Sequence, residues 1–95
     1  MIRSFAKTPT KTEHVWLGTR SGRVPPDVQS RALDKLKVLN RVKTLDELRS
    51  PPSNRLEALK KVRAGQHSIR INDQWRICFR FKDGNAYDVE IADYH

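Results

Sequence analysis

From Ser68 onward the chain takes up a two-residue rhythm: Ile69 and Ile71, then Trp75, Ile77, Phe79 and Phe81, then Tyr87, Val89 and Ile91. Side chains alternate faces along a strand, so this spacing predicts three antiparallel strands sharing one apolar face. The intervening segments 72–74 (Asn-Asp-Gln) and 83–85 (Asp-Gly-Asn) carry turn chemistry and are expected as three-residue loops. Such loops set Phe81 opposite Tyr87, Phe79 opposite Val89, Ile77 opposite Ile91, Ile71 opposite Trp75 and Ile69 opposite Ile77. A slip of one residue would turn an entire apolar set to solvent, so an odd loop length is required for the faces to match. Trp75, Phe79 and Phe81 therefore read as core.

In this register the other face pairs Arg80 with Asp88 and Cys78 with Glu90, and places Arg76 between Ala92 and Arg70. Like charges directly across a sheet are destabilising, and no acid stands between the two arginines in this reading. An external anion is the expected occupant. Tyr94 falls diagonal to Arg76, which brings the end of the last strand to the same place.

Upstream the period lengthens. Pro25-Pro26-Asp27 opens a helix in which Val28, Ala32, Leu36 and Leu39 recur on one face, with Lys35, Lys37 and Arg41 elsewhere. Thr8 as N-cap, Pro9 at the first helical position and Gly18 as the stop predict a shorter helix over 9–17, anchored by Val15, Trp16 and Leu17. Thr44 and Glu47 fit a capping box for one more turn of helix, ended by Ser50-Pro51-Pro52. Residues 2–5 read as a short first strand. Residues 55–64 are ambiguous, since Leu56, Leu59 and Val62 also fit a helical period. The fold class is α+β: at 95 residues, a small single domain with two to three helices on one face of a mostly antiparallel sheet.

Nineteen Lys and Arg against eleven Asp and Glu leave a formal charge of +8, which calls for an anionic partner: RNA, DNA, anionic lipid or an acidic protein. One cysteine, Cys78, excludes an internal disulfide, and His14, His67 and His95 have no metal-ligand spacing. His14 and His67 read as partly exposed surface residues. Walker, Rossmann and HExxH patterns are absent, so neither metal nor cofactor is expected. With no apolar run near the roughly 18 residues of a membrane span and no signal-peptide core, the expectation is a soluble cytoplasmic protein without a membrane partner.

The stretch Gln66-His67-Ser68-Ile69-Arg70-Ile71-Asn72-Asp73-Gln74-Trp75-Arg76-Ile77-Cys78-Phe79 resembles the central signature of the HigB branch of the RelE/ParE toxin superfamily. The ending Asp93-Tyr94-His95 is similar to the terminus of the same branch. The resemblance implies a compact RelE/ParE-like fold and a toxin that cuts mRNA in the ribosomal A site without a metal, the ribose 2′-hydroxyl being the nucleophile. It also implies a HigA-like helix-turn-helix antitoxin as partner, besides ribosome and mRNA. Operator DNA is then contacted only indirectly, through the antitoxin.

Residue by residue, the resemblance makes Arg76 the catalytic arginine, Tyr94 and His95 the terminal catalytic pair, and Asp93 the acid just before them. Lys60 matches the lysine of a Leu-x-x-Leu-Lys segment, here Leu56-Glu57-Ala58-Leu59-Lys60. The chain departs from the pattern at Glu57, where some members have histidine, and at Lys61-Val62, where Gly-Asp is common. Chemically, a fixed guanidinium at Arg76 suits the extra charge of a phosphodiester transition state. His95, Glu57 and Tyr94 are available for proton transfer, with His95 expected as general acid and Glu57 or Lys60 as base. Arg70 and Arg63 are expected phosphate contacts that position RNA without reading its sequence. Two other classes fit the same fold: a ParE-like toxin that binds DNA gyrase without cutting RNA, and a decayed toxin retained as an antitoxin-binding regulator.

Overall fold

The computed structural model describes residues 1–93. Two helices, α1 (Thr12–Trp16) and α2 (Pro26–Arg41), precede a four-stranded antiparallel sheet of β1 (Glu57–Ala58), β2 (His67–Arg70), β3 (Trp75–Lys82) and β4 (Asn85–Asp93), ordered β1-β2-β3-β4. Among the described residues no helix is long and apolar enough to cross a membrane.

α2 forms as its sequence demands, with Pro26 supplying a preset φ at the first turn and Val28, Ala32, Leu36 and Leu39 buried against the sheet. Opposite them lie Ile69, Ile71, Trp75, Ile77, Phe79, Val89 and Ile91, all buried. At about 25 cal/mol per Å² this shared apolar burial is the main term holding the layers together.

α1 is shorter than the 9–17 expected. Thr8 does not cap it; its hydroxyl lies 2.9 Å from that of Thr10, and Lys11 takes the cap position at φ 47°. The helix is held by a tertiary contact: the Thr12 hydroxyl, fully buried, accepts the Ile91 backbone N–H at 2.8 Å. Val15 is buried and Trp16 packs on Phe5 at 6.4 Å, whereas Leu17 is 69% exposed and anchors nothing. Gly18 at φ 85° does end the helix.

The 2–5 strand exists only as two isolated parallel bridges, Ile2 to Ala86 and Phe5 to Val89, along the far edge of β4. The capped turn appears as a 3-10 helix over Leu45–Arg49, with Glu47 Oε2 accepting the Thr44 and Lys43 N–H groups at 2.7 Å each. The ambiguity over 55–64 resolves against the helix. The segment forms the short strand β1 and a 3-10 turn at Lys61–Arg63, and Val62 stands 99% exposed.

The first hairpin keeps the expected register, with Ile69 opposite Ile77 and Arg70 opposite Arg76. The second does not. Its loop has two residues, Asp83 and Gly84, at φ 51° and 78°, the left-handed pair that a type I′ turn needs. Phe81 then faces Ala86 and Arg80 faces Tyr87, so Tyr87 leaves the core side. A bulge between Cys78 and Arg80 sets Phe79 against both Asp88 and Val89, after which Cys78–Glu90, Ile77–Ile91 and Arg76–Ala92 pair as anticipated. The extra residue, Asp88 at φ 52°, does the parity correction assigned to an odd loop.

Candidate active site

The sheet face turned away from the helices carries Glu57, Ser68, Arg70, Arg76, Cys78, Arg80 and Glu90. Arg76 is its centre, at 16% side-chain exposure. Its Nη1 lies 2.9 Å from Glu57 Oε1 and donates to Ser68 Oγ at 3.3 Å. Because Glu57 pairs with Ser68 and Ser68 with Cys78, the guanidinium reaches diagonally across β2 to meet the acid on β1.

The two opposed arginines are thus not left without acids, which corrects the expectation drawn from strand pairing alone. Arg76 has Glu57, and Arg70 Nη2 pairs with Asp73 of the tight turn, three residues along the chain. Local and cross-strand carboxylates do the work assigned to an external anion. β1 was unreadable as a strand, so its acid could not be placed.

Beside this pair, residues 59–66 fold over the sheet. Leu59 is buried on Cys78 and Ala92, and Arg63 Nη1 reaches Glu90 Oε1 and Gln66 Oε1, both at 3.0 Å. Burial pushes the Cys78 thiol up, against the pull of the Arg63 and Arg76 charges, so it is an inert filler between two arginines. Gly65, at φ 91°, leaves room for the Arg80 guanidinium: an added Cβ would lie 2.8 Å from its Nη1. Lys61 sits at φ 57°, the left-handed position where the Gly-Asp pattern places glycine. Lys60 and Lys61 are exposed on this loop.

The structure brings Glu57 and Arg76 into contact and holds Arg63 on the same face through Glu90. Asp93, opposite Trp75, accepts Gln74 Nε2 at 3.2 Å and so faces the turn that also holds Arg70 through Asp73. Lys60 is an exposed cation two residues beyond the end of β1. Tyr94 and His95 lie outside the described residues. Sequence reasoning missed Ser68 and Glu90 as partners; both share the alternate-residue face with Arg76, which was the available signal. His67 is partly exposed, as expected, with its ring stacked 6.4 Å from Phe79 and its Nδ1 buried with no hydrogen-bond partner among the described residues. Among the described residues no three His, Cys, Asp or Glu side chains converge as a metal site.

A helix pair on one face of a four-stranded antiparallel sheet, with Arg76 and Glu57 on the other, defines a small α+β domain. The fold matches a chain of the YoeB-YefM complex from Staphylococcus aureus with a TM-score of 0.62 at 16% identity, covering 100% of this chain and 98% of that one. Residues 15–95 match the family described as RelE-like toxin of type II toxin-antitoxin system HigB, and the chain belongs to that family. It is 36% identical over 95 residues to Endoribonuclease HigB of Proteus vulgaris, covering 100% of both. Over 68 residues it is 36% identical to Toxin HigB-1 of Vibrio cholerae, 72% of each chain.

Proposed function

We propose that this toxin is an endoribonuclease that cuts mRNA in the ribosomal A site and is neutralised by a HigA-like helix-turn-helix antitoxin. The observation that carries the reading is Arg76, a mostly buried guanidinium fixed by Glu57 and Ser68 on the cationic face of the sheet. Family membership supports a toxin with an antitoxin partner, and the name of the Proteus vulgaris relative supports RNA as the substrate.

In the proposed reaction the ribose 2′-oxygen bonds to the adjacent phosphorus while the bond from phosphorus to the 5′-oxygen breaks. The 2′-hydroxyl proton passes to the Glu57 carboxylate, and the departing 5′-oxygen takes a proton from His95. Arg76 faces the nonbridging oxygens as their charge grows, a contribution of about 3 to 4 kcal/mol for one such donor. Arg63 and Arg70 hold flanking phosphates beside Asp93, and Lys60 and Tyr94 complete the set of groups available for proton transfer. Ribosome dependence fits a strongly basic chain, since a ribosome would present the message already ordered to Arg76.

The test is cleavage mapping with programmed ribosomes and with the same mRNA alone, using the wild type and Arg76→Ala. Cuts on the ribosome only, lowered about 100- to 1,000-fold by Arg76→Ala, are expected. Cleavage by Arg76→Ala within threefold of the wild type would overturn the assignment of Arg76. No cleavage by folded wild type in either sample, with gyrase inhibited instead, would replace the nuclease by the binding toxin.

A further inference from the structure

The two partners of the Glu57–Arg76 pair are unequally held. The Arg76 side chain is 16% exposed and that of Glu57 49%, so the carboxylate is the member nearer solvent. Arg76 Nη1 also donates to Ser68 Oγ at 3.3 Å, and Ser68 is fully buried, so the sheet fixes the cation. Glu57 stands on β1, two exposed residues at the edge of the sheet that pair with β2 alone. The backbone to either side is anchored. Leu56 packs against the main core, and Leu59 is buried with Cys78 and Ala92 while its N–H donates to Gln66 O at 2.9 Å. What is free to move is therefore the Glu57 side chain, about its own rotatable bonds, and not the strand that carries it.

A phosphodiester that reaches Arg76 seeks the nitrogen this carboxylate already faces at 2.9 Å. Carboxylate and phosphate oxygens make the same charge-assisted contact to a guanidinium, and two anions at such a separation repel. Nη1 can serve one of them at a time, since Ser68 takes part of its donor capacity in either case.

We propose that Glu57 is a specificity gate: in the free protein its carboxylate occupies the place on Arg76 that the scissile phosphate takes, and RNA held in position by other contacts displaces it. The inference rests on the ribonuclease reading for the identity of the anion, and deepens it by giving ribosome dependence a physical cause. A loose RNA chain must lose its own freedom and also move the carboxylate. A message ordered on the ribosome has already lost that freedom, so its contacts act on the carboxylate alone. Displaced from Arg76, the Glu57 side chain turns to the neighbouring 2′-hydroxyl, whose proton it takes.

The experiment measures binding of the full chain to a fluorescein-labelled mRNA oligonucleotide with 2′-O-methyl sugars, which cannot be cut. Compared are wild type, Glu57→Gln, Arg76→Gln and the double variant, with Asp46→Asn, far more exposed and paired to Arg49, as the control for loss of one negative charge. Glu57→Gln should bind about tenfold more tightly, the scale of a partly exposed hydrogen bond to a charged group, and Asp46→Asn should stay within about twofold of wild type. On the Arg76→Gln background the gain should vanish, because the contact it relieves is gone. Glu57→Asp keeps the charge and shortens its reach; it should show a smaller gain in the same direction, and it carries the test if the glutamine variant does not fold. On programmed ribosomes Glu57→Gln should cleave more slowly than wild type, so that affinity and rate move in opposite directions, which a merely structural role would not produce. Unchanged or weaker binding by folded Glu57 variants, or a gain that persists without Arg76 or is matched by Asp46→Asn, overturns the gate. Ribosomal cleavage by the wild type is read separately: an Arg76-dependent gain without cleavage keeps the gated anion site and removes the nuclease, and cleavage without the gain keeps the nuclease and removes the gate.

Discussion

Thr12→Val tests how α1 is fixed to the sheet. The Thr12 hydroxyl is fully buried and accepts the N–H of Ile91 at 2.8 Å, joining residues 79 positions apart. Valine is nearly isosteric and keeps the β-branch, so packing is preserved while the acceptor disappears. A buried N–H left without a partner costs about 1 to 3 kcal/mol, and burying a methyl in place of a hydroxyl recovers a fraction of this. We expect a net loss of about 2 kcal/mol. At about 4 to 8 °C per kcal/mol for a domain this size, the melting temperature falls by about 8 to 16 °C. In urea, with m near 1 to 2 kcal/mol/M, the midpoint falls by about 1 to 2 M. Thr12→Ser keeps the acceptor and deletes one methyl, so it should cost only about 1 kcal/mol. The Ile91 amide should lose protection against hydrogen exchange in the valine variant alone. A valine variant within 0.5 kcal/mol of wild type, or a serine variant less stable than the valine one, would refute the reasoning.

Three further outcomes are expected. Lys61→Gly removes a side chain from φ 57° on an exposed turn and should raise stability by about 0.5 to 1 kcal/mol in urea unfolding. The backbone N–H groups of Thr44 and Lys43 hold the Glu47 carboxyl below its ordinary range; its stabilisation is present above the unfolded carboxylate pKa and is lost as pH falls through the folded value. Glu47→Gln should therefore flatten the acid limb of the stability–pH curve while changing little on the alkaline side. Cys78, buried and with its thiol pushed up, should resist a thiol reagent such as DTNB in native protein and react fully in urea; rapid native labelling would contradict its place under Leu59.

The sequence alone determined whatever repeats with a short period. α2 was legible because Val28, Ala32, Leu36 and Leu39 lie on one helical stripe, and the first hairpin because alternation and an Asn-Asp-Gln turn agree. Tertiary structure decided the elements too short for a period to show. β1 has two residues, yet it delivers Glu57 to Arg76; α1 has five, and what holds it is Ile91 rather than its own cap. The second hairpin shows the same division. Alternation required that Ile77 and Ile91 share a face, but parity is satisfied equally by an odd loop or by an even loop with a bulge. Asp83-Gly84 settles into a type I′ turn and Asp88 takes up the extra residue, a choice made by strand twist and by the residue 1–6 edge against β4. Pattern fixes which side of a strand faces the core; only packing fixes which residue stands opposite an arginine.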